Sequence, residues 1–370
     1  MVRIILKMKL SALLITLVLF YGSDSHADES NTSLRDKVID ASKTIEYRIR
    51  AFKEMYRHLL IDGEIPQRTI CVWDVFGRQG PVFESTVDIQ LRFKFYGVSM
   101  NLLAYLDEDE MIVDFKSGKC DVAVMSGAKA NQFNSFTGSI EALGGVTSKS
   151  QMKILLQVLS NPKAMAKMEN DEYVIIGVIP LGENYLFSRN GGASDLRAIM
   201  HGKAGMVKTD LSQELFFKSF DTEIIKQTNF SMTAHSFNTG STDIILASRA
   251  AYNMHNLNKG LEFGSIIDYP ISQSTLQIVG RIEAVPPEMA LMLREDFYIK
   301  FNYMYNFIDK MSTVPKPLFK SLSLEDEELI LKKINSVRDK YKKTERYDKS
   351  MLNLMARIRC KLDQHSSECK

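Results

Sequence analysis

Between residues 68 and 125 the hydrophobic pattern switches period four times, and this alternation constrains the fold more than any other feature of the chain. A β-branched and aromatic run at 68–76 predicts a strand that stops at Gly77. Pro81, suited to a first helical turn, opens a helix whose Phe83, Val87, Leu91 and Phe95 share one face, and Gly97 ends it. A strand at 98–105, a short acidic helix at 107–117 closed by Gly118, and a third strand at 120–125 complete a βαβαβ unit. Strands joined by helical crossovers run parallel, so the class is α/β with a parallel sheet.

The alternation continues with a helix at 150–159, an apolar strand at 173–179, a strand near 204–207, a short helix around 241–251 and a late strand at 274–279. Ahead of it, Leu34, Val38, Ala41, Ile45, Ile49, Phe52, Met55 and Leu59 recur at helical steps and predict one amphipathic helix ending near Asp62 and Gly63. After it, Pro286 and Pro287 precede a long helix at 288–311 with Leu293, Phe297, Phe301, Met304 and Ile308 inward. Ser323 with Asp326 resembles a helix-start capping box before a charged amphipathic stretch at 327–347. At 370 residues, with 45% hydrophobic, the chain is long for one domain and comfortable for two.

The first residues predict export. Arg3, Lys7 and Lys9 precede an apolar run at 10–20, and Ser25 and Ala27 flank His26, which is the pattern of a signal peptide cleaved near Ala27. No Cys follows the run to take a lipid, and no later stretch is long enough to span a bilayer, so a mature product free of the membrane is expected. With 47 basic and 45 acidic side chains, a general nucleic-acid role has no electrostatic support. Four cysteines in an exported chain are disulfide candidates with three possible connectivities. Cys71 begins the first strand and Cys120 the third, commonly neighbours in doubly wound sheets, which favours that pair; Cys360 and Cys369 would then close a short C-terminal loop.

Two turns carry the candidate chemistry. In the first, residues 73–81 run from a strand end into a helix start, where backbone N–H groups and the helix terminus favour an anion and Arg78 could form a two-pronged bond to a carboxylate. The competing reading is an ordinary βα turn with a solvated Arg. In the second, residues 126–139 offer Ser126, Asn131, Asn134 and Thr137 as polar contacts and Phe133 and Phe136 as an apolar wall. Its competitor is a hydrogen-bonded turn that binds nothing. Hydrolase, metalloprotease and nucleotide-loop motifs are absent, so no enzyme activity, metal or cofactor is expected. His201, His235 and His255 read as surface or core histidines, the acidic run 107–110 as a helix start stabilised by the dipole, and the basic run of Lys332, Lys333, Arg338, Lys340, Lys342 and Lys343 as a solvated face.

Taken together, DVFGRQGP (74–81), FKSGKCDVAVMSG (115–127), QFNSFTGSIEALGG (132–145), IPLGENYLF (179–187), FNTGSTDIILA (237–247) and DYPISQSTLQIVGR (268–281) resemble one family. It is a family of solute-binding proteins related to the extracytoplasmic receptors of tripartite ATP-independent periplasmic (TRAP) transporters. The resemblance covers 69–281 and fades beyond. It implies a periplasmic location and a two-lobed fold like that of type II periplasmic binding proteins, with extra N- and C-terminal helices. The implied division is a signal peptide at 1–27, an N-terminal helix at 28–68, a first lobe at 69–171 plus 264–281, a second lobe at 172–263 and a helical region at 282–370. The implied function is capture of a small polar, carboxylate-bearing solute for membrane permease subunits. The implied ligand residues are Asp74, Arg78, Gln79, Ser126, Asn134, Thr137, Gly182 and Tyr185, with Asn238, Asp243, Tyr269 and Gln273 from thinner motifs. Lys129 and Asn131 stand where the family suggests Arg. The rival from another class is an envelope accessory protein on the same scaffold, suggested by the extra C-terminal helices.

Overall fold

A computed structural model describes residues 33–94, 98–192, 195–343, 347–362 and 369, and the predicted signal peptide lies outside them. The βαβαβ unit is present. Strands β1 (Arg68–Trp73), β2 (Met100–Tyr105) and β3 (Val122–Ser126) form a parallel group in the order β2-β1-β3, reached through helices Pro81–Phe93 and Glu108–Lys116. A second group comprises β5 (Lys203–Val207), β6 (Glu223–Gln227) and β7 (Ile244–Ser248), in the order β7-β5-β6 and also parallel.

An antiparallel ribbon joins the two groups. Strand β4 (Tyr173–Ser188) pairs with β9 (Ser272–Arg281) from Tyr173 to Asn184, and with β7 from Asn184 to Ser188. Strand β9 also pairs with β3. The expected strand at 173–179 is therefore a 16-residue strand that belongs to both lobes, and the boundary drawn at 171/172 falls ahead of it. Register shifts at Ile175/Gly177 and Pro180/Gly182 bend the ribbon between the lobes, with Gly182 at φ +97. The short strands β8 (Ser265–Ile267) and β10 (Phe319–Lys320) extend the second lobe: β8 pairs with the end of β4, and β10 with β8.

Alternation along the first lobe's strands sorts side chains into two cores. Cys71, Ala123 and Met125 face one, where helices Lys149–Leu159 and Lys349–Leu362 pack, and Ile70, Val72, Val122 and Val124 face the other. The disulfides are Cys71–Cys120, with 5.8 Å between Cα atoms, and Cys360–Cys369.

Several expected elements are corrected. The amphipathic run at 34–59 is broken into helices Leu34–Ile39 and Ile45–Met55, because the Asp40 carboxylate accepts the Ser42 amide at 2.9 Å and Thr44 caps a fresh start. The helix at 288–311 divides into Pro287–Ile299 and Phe301–Met311 at Lys300. The helix around 241–251 is instead β7 followed by helix Arg249–Met254. Ile244, Ile245 and Leu246 are buried on both faces between β5 and β4, and a continuous apolar run is what a central strand requires. The N-cap half of the expected capping box is present: the Asp326 amide donates to Ser323 Oγ at 3.1 Å at the start of helix Leu324–Lys343. Among the described residues no helix is long and apolar enough to cross a membrane.

Candidate functional site

In parallel sheets the loops beyond the C-terminal strand ends converge, and here they do so from both lobes onto one cavity of about 760 Å³. Trp73, Asp74, Ser126 and Lys129 line it from the first lobe, and Lys208, Asp210, Asn229, Ser248 and His255 from the second. Asn184, Ser272, Ser274 and Thr275 of the connecting ribbon form its floor, where Asn184 donates to Ser272 Oγ at 2.9 Å and accepts from Ser274 Oγ at 2.8 Å.

One local rule builds much of the polar rim. Ser126, Asp210, Asn229 and Ser248 are each the N-cap of a helix that follows a strand, with the side chain accepting a backbone N–H of the first turn. Asp74 plays a related part. Its carboxylate accepts the amides of Phe76 at 2.9 Å, Val82 at 2.7 Å and Phe83 at 3.0 Å, which pins the first turn to the helix it opens. A Cβ on Gly80 would lie 1.8 Å from the Asp74 carboxylate, so only glycine fits there.

Two carboxyl groups sit deep in the cavity. Glu141 accepts from the Thr275 amide at 2.6 Å and Oγ1 at 2.8 Å, yet burial outweighs these bonds and, with the charges of Asp210 and Glu108, pushes it up to about 7. Glu108 accepts the Ser126 amide at 2.6 Å and is likewise pushed up to about 7 by burial. The acidic run is the helix start expected, with Asp107 capping through the Asp109 and Glu110 amides, but Glu108 turns inward to the cavity. Lys129 is ion-paired with Asp109, and Lys300 with Asp296. Burial lowers the His255 imidazole, which stands edge-on to Phe230. Among the described residues no group of His, Cys, Asp and Glu is placed to hold a metal.

Of the residues expected from the sequence, the structure brings Asp74, Ser126 and Asn131 to the cavity, whereas Phe133 and Phe136, the expected apolar wall, are buried in the first lobe's core. Arg78 and Gln79 are exposed on a turn outside its lining. Asn134 caps the turn Ser135–Gly138 and donates to the Lys167 carbonyl, and Thr137 is fully buried behind it. Gly182 lies at the ribbon's second register shift, and Tyr185 packs on Phe319, its hydroxyl pushed up to about 12 by burial. Asn238 donates to the His255 carbonyl, Asp243 accepts the Lys203 amide, Tyr269 is half-buried in the second lobe's core, and Gln273 is fully buried opposite Glu183. None of these eight lines the cavity. The rim residues that were missed had a signal, since Asp210, Asn229 and Ser248 are cap types directly ahead of helical runs. Glu141 had none, because its burial comes from tertiary packing.

The family of solute-binding proteins AdeT 1/2 matches residues 94–370. That match reaches the C-terminus, well beyond the expected limit at 281. The "Probable solute-binding protein AdeT1" of Acinetobacter baumannii is 28% identical over 300 residues, spanning 80% of this chain and 98% of that protein. Among solved structures, a TRAP periplasmic solute-binding protein of Bradyrhizobium sp. in complex with galacturonate superposes with a TM-score of 0.63 at 14% identity, over 79% of this chain and 99% of that one. One from Pseudomonas aeruginosa with bound L-malate gives 0.58 at 9% identity, over 74% and 100%. These relatives are solute-binding proteins, not enzymes, and the structures share the two-lobed fold. The chain belongs to the AdeT 1/2 family of solute-binding proteins.

Proposed function

We propose that the chain is a periplasmic receptor whose lobes close on a small polar, carboxylate-bearing solute and deliver it to a membrane permease. The observation that carries this is one cavity lined from both lobes and floored by β4 and β9, the strands that pass between them. A ligand touching both lobes favours the closed population by its extra contacts, and a permease can read that form. An anionic head is supported by Lys208 at the rim and by the N-terminus of helix Phe230–Thr239, whose neutral cap Asn229 faces the cavity. It is also supported by the galacturonate and malate held by the two structural relatives. With Arg78 outside the lining, the anion contact is reassigned to Lys208.

Thermal-shift and calorimetric screening of the mature protein against organic acids tests this. A bound acid at a hundredfold excess over Kd stabilises by about 2.7 kcal/mol, and Lys208→Ala weakens it several-fold. If organic acids give no shift while amines or neutral sugars do, the carboxylate head is wrong. The rival accessory role loses its distinguishing feature, since the C-terminal helices lie inside the family match and pack against both lobes.

A further inference from the structure

The two faces of the first lobe's sheet are sealed unequally. Toward the disulfide, Cys71, Ala123, Met125 and Val279 are all 0% exposed. On the opposite face of the same strands Val72 is sealed at 0%, but Ile70 and Val122 keep 4%, Val124 3%, Leu276 4% and Ile278 6%, although helices cover that face too. Side chains looking back from helix Pro287–Ile299 match them, with Leu293 at 5% and Phe297 at 6%. Protein interiors pack with few voids larger than a water molecule, so residual surface on both walls marks an open internal space.

Helix placement explains the space. Pro81–Phe93 packs on β1 and β2, Pro287–Ile299 packs on β4, and β3 and β9 lie between them. This channel is continuous with the polar cleft and belongs to the same cavity. It leads from Trp73 and Ser126 at the cleft end to Arg68, Val98 and Met100 at the other, the length of β1, or roughly 17 Å at the usual rise per residue. Its middle is lined by Ile70, Val122, Val124, Ile278 and Leu293, and the Thr86 hydroxyl on its wall is occupied by the Val82 carbonyl at 2.8 Å. A small polar acid would lose its hydration there without compensating bonds, whereas a hydrocarbon chain loses nothing.

We infer that the solute carries a single unbranched hydrocarbon chain seated in this channel, with its polar head in the cleft between the lobes. The inference rests on the solute-receptor reading: it keeps the polar head in the cleft and replaces the small polar body with a hydrocarbon chain, making the solute an amphipath. Each methylene moved from water into the channel tightens binding about fourfold until the chain reaches Arg68.

The test is calorimetry on the full mature protein with linear monocarboxylates from butanoate to dodecanoate, below micelle-forming concentrations, and with a matching alkylammonium series. Affinity should climb with chain length, and Val122→Phe or Val124→Phe, which fill the channel, should flatten that climb. Trp73, the single tryptophan, stands at the channel mouth and supplies a readout that needs no variant: dodecanoate brominated along its chain should quench its fluorescence. A flat series on both heads, a climb that persists in the folded phenylalanine variants, or unquenched Trp73 overturns the inference. Short acids that bind with no climb would leave the receptor reading standing and remove the chain. A climb on ammonium heads alone would keep the chain and remove the carboxylate.

Discussion

Glu141 shows how the cavity sets the chemistry of a single side chain. In the folded protein its carboxyl keeps a proton up to about pH 7, while in the unfolded chain it ionises near the ordinary 4.5. Between those values the native state binds more protons, so this group's contribution to stability is present at pH 4 to 5 and is lost as pH rises through 7. Glutamine keeps an acceptor for Thr275 and cannot ionise, so Glu141→Gln should show a smaller fall in melting temperature between pH 5 and pH 8 than the parent protein. Equal falls in parent and variant would show that Glu141 is ionised throughout. Residues of this kind were illegible in the sequence, since a glutamate in IEAL looks the same whether its helix faces solvent or a cleft. Asp74 was legible as special but not for its actual work, three backbone bonds at a helix start. Arg78 was attractive because an arginine on a Gly-rich turn suits an anion, and only the turn's direction in space excludes it from the lining.

Elements of the first lobe were readable because each announces its ends: glycines stop the strands, Pro81 starts a helix, and Asp107 caps another. The second lobe was harder. Its strands are five residues long, and β7 runs straight into helix Arg249–Met254, so its apolar residues satisfy a helical spacing as well as a strand. The cysteine pairing was readable because it follows from strand order, as β1 lies beside β3. The two disulfides should differ in worth. In the chain-entropy account, a bridge with a sequence separation of 49 stabilises by about 4 kcal/mol and one with a separation of 9 by about 2.5 kcal/mol. Cys71 and Cys120 are also fully buried in the first core, so alanine at both removes packing as well. Denaturant titration should rank Cys71→Ala/Cys120→Ala as clearly the less stable double variant. If Cys360→Ala/Cys369→Ala loses as much or more, the bridge in the sheet is not what holds the first lobe together.

At the scale of the molecule, the C-terminal helices cross from one lobe to the other. Ile330, Ile334, Val337 and Tyr341 of helix Leu324–Lys343 pack with Phe216 and Phe217 in the second lobe's core. Arg338 then reaches back to the Gly144 carbonyl at 2.8 Å, the Asp348 amide donates to Ser139 Oγ at 2.8 Å, and helix Lys349–Leu362 inserts Met351, Leu352, Met355 and Ile358 into the first lobe's core. This tail therefore completes one core after leaving the other, and it links the lobes a second time beside the ribbon. Its weight can be judged by magnitude. Burying four large apolar side chains contributes about 1.5–3 kcal/mol each, a sum comparable to the roughly 5–15 kcal/mol that holds a typical domain folded. A chain ending at Lys343 should thus lose its cooperative thermal transition and its near-ultraviolet circular dichroism, since Met152 and Leu155 of helix Lys149–Leu159 would face water where Met351 and Met355 now sit. If the truncated protein melts in one sharp step near the parent's temperature, the tail is an accessory. Cooperative loss would instead make it part of the receptor's own core, in keeping with a family match that runs to residue 370.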